Sequence, residues 1–369
     1  MLRLLPHLVA LQAAVATTVQ LSNVALPVDQ HGEKLITGEA DIVEHEGAWY
    51  MYFNNWGTCP GVDCCKSSAG CASCCFDNPP TPFAKGCEKG ARNSSDPYGD
   101  YHSVQAYKTT DFKTYTNLGI ALPMTKRLPG CEFRPHVLYN NKTKLFVMWF
   151  EDRSDKTQAG SVPLHGYSIA TSPSPGGPFT TKFYNVTLPG HGRTGDYDLF
   201  IDDDGTAYNV RTGFDVVKLN DDYTGPADST AVSSFRTPKD SEGPVMFKRN
   251  GFYYVMAGTG CCACIGGSTI YVMMAKSLQG PWAYAGDVGS NPTPFDPHSP
   301  NNYVTKAQAS FVFEAKGEYI WCGNQWASGL AETPPGPRMH DLLYWTKLNF
   351  NTNGTVKQVE YSKTCTFEI

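Results

Sequence analysis

The chain has 369 residues, 41% of them hydrophobic, which is enough for a large core and too apolar for intrinsic disorder. A formal net charge of -5 with only 18% charged residues argues against nucleic acid or an acidic membrane surface as the main partner. A neutral partner is expected, and 35 glycines, 26 prolines and 12% aromatic residues point to a turn-rich chain.

In chain order, the first segment is MLRLLPHLVALQAAVATTVQ. One basic residue, a short apolar run and the small-residue site Ala14-Val15-Ala16 have the layout of a cleaved secretory signal over 1–16. The run is too short for a membrane span, so a secreted protein with no membrane association after cleavage is expected. Residues 17–369 are expected to form one domain. A cysteine-rich insertion at about 57–100 carries Cys59, Cys64, Cys65, Cys71, Cys74, Cys75 and Cys87, and a second cluster holds Cys261, Cys262 and Cys264. The 13 cysteines suit an oxidising compartment, and disulfides are expected rather than a metal, because Cys71-Ala72-Ser73-Cys74 has no second pair with histidines. Asn93, Asn141, Asn185 and Asn353 each open an Asn-x-Ser/Thr acceptor.

One unit returns five times along the chain. Its first half is a turn and an aromatic-rich strand: EGAWYMYFNN (46–55), NKTKLFVMWFED (141–152), DDGTAYNVRTG (203–213), RNGFYYVMAG (249–258) and AKGEYIWCGN (315–324). Its second half is a further strand pair, at 104–119, 166–180, 215–225, 270–286 and 342–356. Short strands, Gly, Asn and Asp at the turns and no long helical period predict an all-β, five-bladed propeller with four antiparallel strands per blade. A two-sheet sandwich would not explain why the same text recurs.

Strand alternation within a blade puts the start of its first strand and the loop after its second on one face. DSEGPVMFKRNGFYYVM (240–256) therefore sets Glu242 at the axial end of blade 4. In the same register stand Asp196 in blade 3, Glu39 and Asp41 in blade 1 and Gln308 in blade 5, while Asp202, Asp203 and Asp204 read as a hairpin turn on the far face. Inverting hydrolysis of a glycoside needs a protonated carboxyl and an ionised one about 6.5 to 9.5 Å apart, which different blades can supply across an axial funnel. A third acid beside the donor keeps its pKa high, so Glu242 and Asp196 can serve as donor and modulator. Trp56, Arg134, Arg211 and Trp326 are candidate sugar contacts, since a ring stacks on a pyranose face and an arginine fork donates to hydroxyls. His136 is a further axial residue. No metal and no cofactor are expected.

SEGPVMFKRNGFYYVMAG and GDYDLFIDDDGTAY resemble the acid-bearing strand pair and the Asp-bearing segment of glycoside hydrolase family 43, the five-bladed propeller glycosidases. FRPHVLYNNKTKLFVMWF, GPFT, KLNDDYTG and KAQASFVF are similar to the branch containing exo-acting 1,3-β-galactosidases. The resemblance implies Glu242 as general acid, Asp196 as its modulator, and Gln308 in place of a missing base. The family's usual base opens blade 1, where either Glu39 or Asp41 stands. Phe133, preceded by Glu132, occupies the position before Arg134-Pro135 where that branch commonly carries Glu. The expected function is a secreted, monomeric glycosidase acting on an oligo- or polysaccharide of galactan or arabinan/xylan type. The alternative is a carbohydrate-binding propeller impaired in catalysis; a fructan-cleaving relative would need a second β-sandwich domain.

Overall fold

The computed structural model describes residues 16–55, 103–123, 126, 131–153, 166–192, 194–259, 266–291, 303–326, 328 and 340–369. Every helix or strand of two or more residues among them is a β-strand. After β1 (Thr18–Ser22), blade 1 is β2 (Ala40–His45), β3 (Ala48–Asn54), β4 (Val104–Thr109) and β5 (Thr116–Leu122). Blade 2 is β6 (Cys131–Asn140), β7 (Leu145–Arg153), β8 (Tyr167–Ser172) and β9 (Thr180–Val186). Blade 3 is β10 (Tyr197–Ile201), β11 (Ala207–Arg211), β12 (Asp215–Lys218) and β13 (Ser233–Ser234). Blade 4 is β14 (Glu242–Arg249), β15 (Phe252–Gly258), β16 (Tyr271–Ala275) and β17 (Ala283–Asp287). Blade 5 pairs β18 (Gln308–Ala315), β19 (Glu318–Gln325) and β20 (Leu342–Lys347), with β21 (Thr364–Glu368) lying alongside β20 in the fourth place. All pairings within blades are antiparallel, and the molecule is the five-bladed propeller that the repeat predicts.

The repeated turns follow from local chemistry. Glu46-Gly47, Asn250-Gly251 and Lys316-Gly317 each join the first two strands of a blade as a two-residue hairpin with positive φ at both positions. That conformation matches the right-handed twist of the flanking strands and favours glycine at the second position. The aromatic runs follow from the period of two: along β3, Met51 and Phe53 face the gap to blade 5, while Tyr50 and Tyr52 face the gap to blade 2. One hydrophobic cluster fills each of the five gaps between neighbouring blades. A strand clamped on both faces loses the polar alternation of a surface strand, which is why the inner strands read as continuous apolar text.

Two outer strands differ from expectation. In blade 3 the segment after β12 forms a tight loop, with Asn220 Oδ1 accepting from Thr224 N at 2.8 Å, and the fourth strand is delayed to the two residues of β13. The loop is closed by Asn220 N donating to Gly225 O at 2.8 Å and by an isolated bridge of Leu219 with Pro226, and the asparagine that caps its own turn competes with further ladder pairing, so no second strand forms within 215–225. In blade 5 the segment after β20 makes only the isolated bridge between Phe350 and Val356. The place beside β20 goes to β21, whose hydrogen-bonded partner is β1 in register Thr18 with Glu368 through Ser22 with Thr364. Asn23 fastens this pair to blade 5: its amide donates to Trp345 O at 2.9 Å and accepts from Trp345 N at 2.7 Å. The first and last described strands thus close the ring.

The inner strands β2, β6, β10, β14 and β18 stand around the axis, each touching its neighbours. Three of them carry an irregular register at the same end: between Phe133 and His136, between Glu242 and Val245, and between Ala309 and Phe311. Bulges bend a strand and re-aim its side chains. Trp56, the cysteines at 59–87 and 261–264, the 1–15 segment and Asn93 lie outside the described residues. Cys322 and Cys365, whose side chains are described, are buried free thiols. Among the described residues no helix is long and apolar enough to cross a membrane.

Candidate active site

The site is built at the bulged end of the inner strands, with one residue from each blade. Glu39 and Asp196 stand one residue before β2 and β10, and their carbonyls extend the ladders by accepting from Asn54 N at 3.1 Å and Thr212 N at 2.7 Å. Glu242 and Gln308 open β14 and β18, opposite Gly258 and Asn324. Arg134 enters from the β6 bulge with a φ of 51°. Such a backbone is unusual for a non-glycine residue and is held here by partners on both sides. Its N–H donates to Glu39 Oε2 at 2.9 Å, and its carbonyl accepts from the Tyr197 hydroxyl at 2.7 Å.

The Arg134 guanidinium, 2% exposed, is the hub. Nε lies 2.8 Å from Asp196 Oδ1 and 3.5 Å from Glu39 Oε1, and Nη1 donates to Ala309 O at 2.8 Å. Nη2 packs over Gly243, where a Cβ would lie 3.1 Å from it and 3.2 Å from Ala309 O. With φ at 60°, Gly243 is both a conformational and a steric requirement of the bulge that carries Glu242. Burial works to lower the Arg134 pKa but is outweighed by Asp196, Glu39 and Glu242, which hold it above its ordinary value. One buried cation therefore ties three carboxylates from three blades to one point.

Gln308 completes the ring. Its Nε2 donates to Asp196 Oδ2 at 2.9 Å, and its Oε1 accepts from Trp326 Nε1 at 2.8 Å. These two contacts fix which way the amide faces. Asp196 has one oxygen on Arg134 and the other on Gln308. Glu242 and Gln308 open onto a cavity of about 750 Å³ whose wall also includes Thr212, Phe214, Phe235 and Arg236. That volume is within the range of small-molecule sites.

The structure brings together Glu242, Asp196, Gln308, Glu39 and Arg134, and it gives Asp41, Arg211 and Trp326 other roles. Asp41, two residues beyond Glu39, belongs to a deeper layer in which its Oδ2 accepts from Val137 N at 2.6 Å and its Oδ1 lies 3.5 Å from His136 Nδ1. Glu39 itself is 3% exposed and accepts from Arg134 N and, at 3.2 Å, from Asn54 Nδ2. Burial pushes its carboxyl up to about 8, with Arg134 acting in the opposite direction. This is the environment of a carboxyl that braces Arg134, not of one that meets water. Arg211 was expected at the sugar; its Nη2 instead donates at 2.9 Å to both Asp215 Oδ2 and Pro189 O, because a buried guanidinium needs its charge and donors matched. Trp326 is 4% exposed and directs its indole N–H at Gln308 rather than offering a ring face. The aspartate run 202–204 is the far-face turn, where Asp202 and Asp203 hold Lys248 of blade 4 at 2.6 and 2.8 Å.

Sequence reading missed the Phe214 and Phe235 wall, the Asn54 bond to Glu39 and Asp198. The last was within reach, since GDYDLF sets Asp198 two residues after Asp196 and hence on the same side of the strand. Among the described residues no cluster of three or more His, Cys, Asp or Glu is disposed to hold a metal ion.

The sequence model of glycosyl hydrolases family 43 matches residues 91–355. No curated protein matches the chain. Among solved structures, a family 43 β-1,3-galactosidase with galactodeoxynojirimycin is 17% identical, with 93% of this chain and 99% of that chain covered and a TM-score of 0.68. An exo-β-1,3-galactanase from Phanerochaete chrysosporium with galactose is 19% identical over 94% of this chain and 67% of that chain, with a TM-score of 0.66. An α-L-arabinofuranosidase from Clostridium thermocellum is 20% identical over 89% of this chain and 95% of that chain, with a TM-score of 0.58. At these identities the likeness is one of fold.

Proposed function

The chain belongs to glycosyl hydrolases family 43 and is a glycosidase; within that family we propose that it cleaves β-1,3-linked galactan, by inversion, with Glu242 as general acid. The carrying observation is the convergence of Glu242, Asp196 and Gln308 around Arg134 at the axial end of four blades. The galactan assignment is supported by the galactosidase and galactanase neighbours, which have higher TM-scores than the arabinofuranosidase.

In this mechanism Glu242 protonates the leaving oxygen while water attacks the anomeric carbon from the opposite face, giving a hemiacetal of inverted configuration. Asp196 keeps a negative charge beside the acid, which disfavours early loss of the acid's proton. Glu39, buried and engaged by Arg134, is unsuited to take a proton from water. Gln308 is the better partner: after accepting from Trp326, its carbonyl oxygen retains a lone pair that can orient the nucleophile. An amide orients water but does not accept its proton at neutral pH, so the attack occurs late, when the anomeric centre is already strongly electron-deficient, and the proton lost by the attacking water passes to the solvent of the open cavity, from which Glu242 is reprotonated.

The N-terminal signal pattern supports an extracellular protein, and Asn141, Asn185 and Asn353 are exposed, as glycan acceptors must be. We propose that it acts there as a monomer. The test is product analysis by NMR on β-1,3-galactotriose, with arabinan and xylan oligosaccharides alongside. Glu242→Gln is expected to lower the galactotriose rate about 10²- to 10⁴-fold with the melting temperature kept. Undiminished turnover by that variant, or cleavage of the pentose oligomers alone, refutes the assignment.

A further inference from the structure

Two residues deeper along the same inner strands lies a second layer made of Asp41, His136 and Asp198, which are 7%, 1% and 5% exposed. His136 Nδ1 stands between the two carboxylates, 3.5 Å from Asp41 Oδ1 and 3.3 Å from Asp198 Oδ1. Each carboxylate then turns its other oxygen to the backbone of the next blade. Asp41 Oδ2 accepts from Val137 N and Asp198 Oδ2 accepts from Met246 N, both at 2.6 Å. Asp198 Oδ1 also accepts from Leu199 N at 2.9 Å. The two acids are structural counterparts, one closing blade 1 onto blade 2 and the other blade 3 onto blade 4.

Their targets differ in consequence. Met246 is the residue just after the irregular stretch from Glu242 to Val245, so its amide marks the deep end of the bulge that aims Glu242. The shallow end is fixed by Gly243 against Arg134 and Ala309. With both ends tied, the Glu242 backbone has one position relative to the axis. Release of the deep end would let the bulge slide along β15, and about 1 Å of misplacement at a reacting group is worth on the order of 10²-fold in rate.

We propose that Asp198, held from behind by His136, is a positioning residue for the general acid Glu242. The proposal rests on the reading of Glu242 as the acid. His136 keeps the Asp198 carboxylate turned so that one oxygen faces Met246. The carboxylate holds the bulge, and the bulge presents Glu242 to the leaving oxygen. Asp198 touches no substrate; its effect is confined to the step that needs a correctly aimed proton.

That confinement makes the role separable from general support of the fold. A sugar leaving group departs only when protonated, whereas 2,4-dinitrophenolate leaves without a proton. Asp198→Asn and Asp41→Asn are compared on β-1,3-galactotriose and 2,4-dinitrophenyl β-galactoside, with Glu242→Gln as benchmark and melting curves for all. Each amide keeps the shape of the side chain and loses the charge that faces His136. Asp198→Asn is expected to slow galactotriose about 10- to 100-fold and the dinitrophenyl substrate less than about threefold, while Asp41→Asn slows both to the same extent. Equal losses on both substrates in folded Asp198→Asn, or no loss on either, overturn the proposal. Should Asp198→Asn fail to fold, His136→Asn frees the same carboxylate from its ring partner and is read on the same two substrates, with the same selective loss expected and equal losses decisive against it. If Glu242→Gln itself lacks the leaving-group selectivity, the acid assignment has failed, and that outcome is distinct from a failure at Asp198.

Discussion

Replacing Glu39 by glutamine tests the axial charge network through its dependence on pH. Burial holds the Glu39 carboxyl up to about 8 against an ordinary 4.5, with Arg134 lowering it and Asp196 raising it. The folded protein therefore keeps a proton that the unfolded chain releases. This contribution to stability is fully present below about pH 4.5 and is lost as pH rises through about 8. At about 1.36 kcal/mol per pH unit, the stretch from about pH 5.5 to 8 corresponds to on the order of 3 kcal/mol. Asp198, pushed up to about 7 by burial with His136 opposing, tilts stability in the same direction. So does His136, where burial lowers the pKa but Asp41 and Asp198 together raise it above 6.5. Both groups remain in the variant and cancel in the comparison. Asp111, where burial raises the carboxyl but the Thr114 and Lys113 amides and the Thr109 and Thr114 hydroxyls together outweigh it and lower it to about 2, is ionised in both states across this range.

Glu39→Gln keeps an acceptor for Arg134 N and stays neutral at every pH. Urea unfolding of both proteins at about pH 5.5 and 8.5 is the assay, with the wild-type losing on the order of 3 kcal/mol more between the two conditions than the variant. Parallel pH slopes for the two proteins, or a wild-type that gains stability towards pH 8.5 relative to the variant, would refute the reasoning.

Trp326→Phe removes the indole N–H that donates to Gln308 Oε1 and leaves that amide held by its Asp196 bond alone; kcat on β-1,3-galactotriose is expected to fall about tenfold, with a stability loss of about 1 kcal/mol in urea. Asn23→Ala strips Trp345 N and Trp345 O of their side-chain partner in a buried position. A loss of about 2 to 3 kcal/mol is expected from the unmet donor and acceptor, measured by the urea midpoint, with kcat of the folded fraction unchanged.

The repeat made the architecture readable before any coordinates, because five gaps filled from both sides of each strand impose the same apolar text five times. The axial ends were readable for a related reason: a polar residue that interrupts an apolar inner strand at its start, as Glu242 and Gln308 do, has few places to go. Text could not reveal which of two acids spaced by two residues meets the site. Glu39 and Asp41 share one side of one strand, and their depth is decided by Arg134 and His136 of the next blade. Arg211 and Trp326 carry the right chemistry for sugars, yet their partners Asp215 and Gln308 consume it. The delayed strand β13 and the exchange of β21 for a hairpin in blade 5 depend on an asparagine turn and on pairing across some 340 residues, which no local pattern encodes.

Pairing β1 with β21 also sets an order of events during synthesis. The site draws on all five blades, and β1 gains its strand partner only when the segment 364–368 has been made. A nascent chain that has completed four blades already holds Glu39, Arg134, Asp196 and Glu242, but it lacks Gln308 and the Ala309 carbonyl on which Arg134 rests. The constellation of Glu39, Arg134, Asp196, Glu242 and Gln308 is thus incomplete until the first strand of blade 5 has been made.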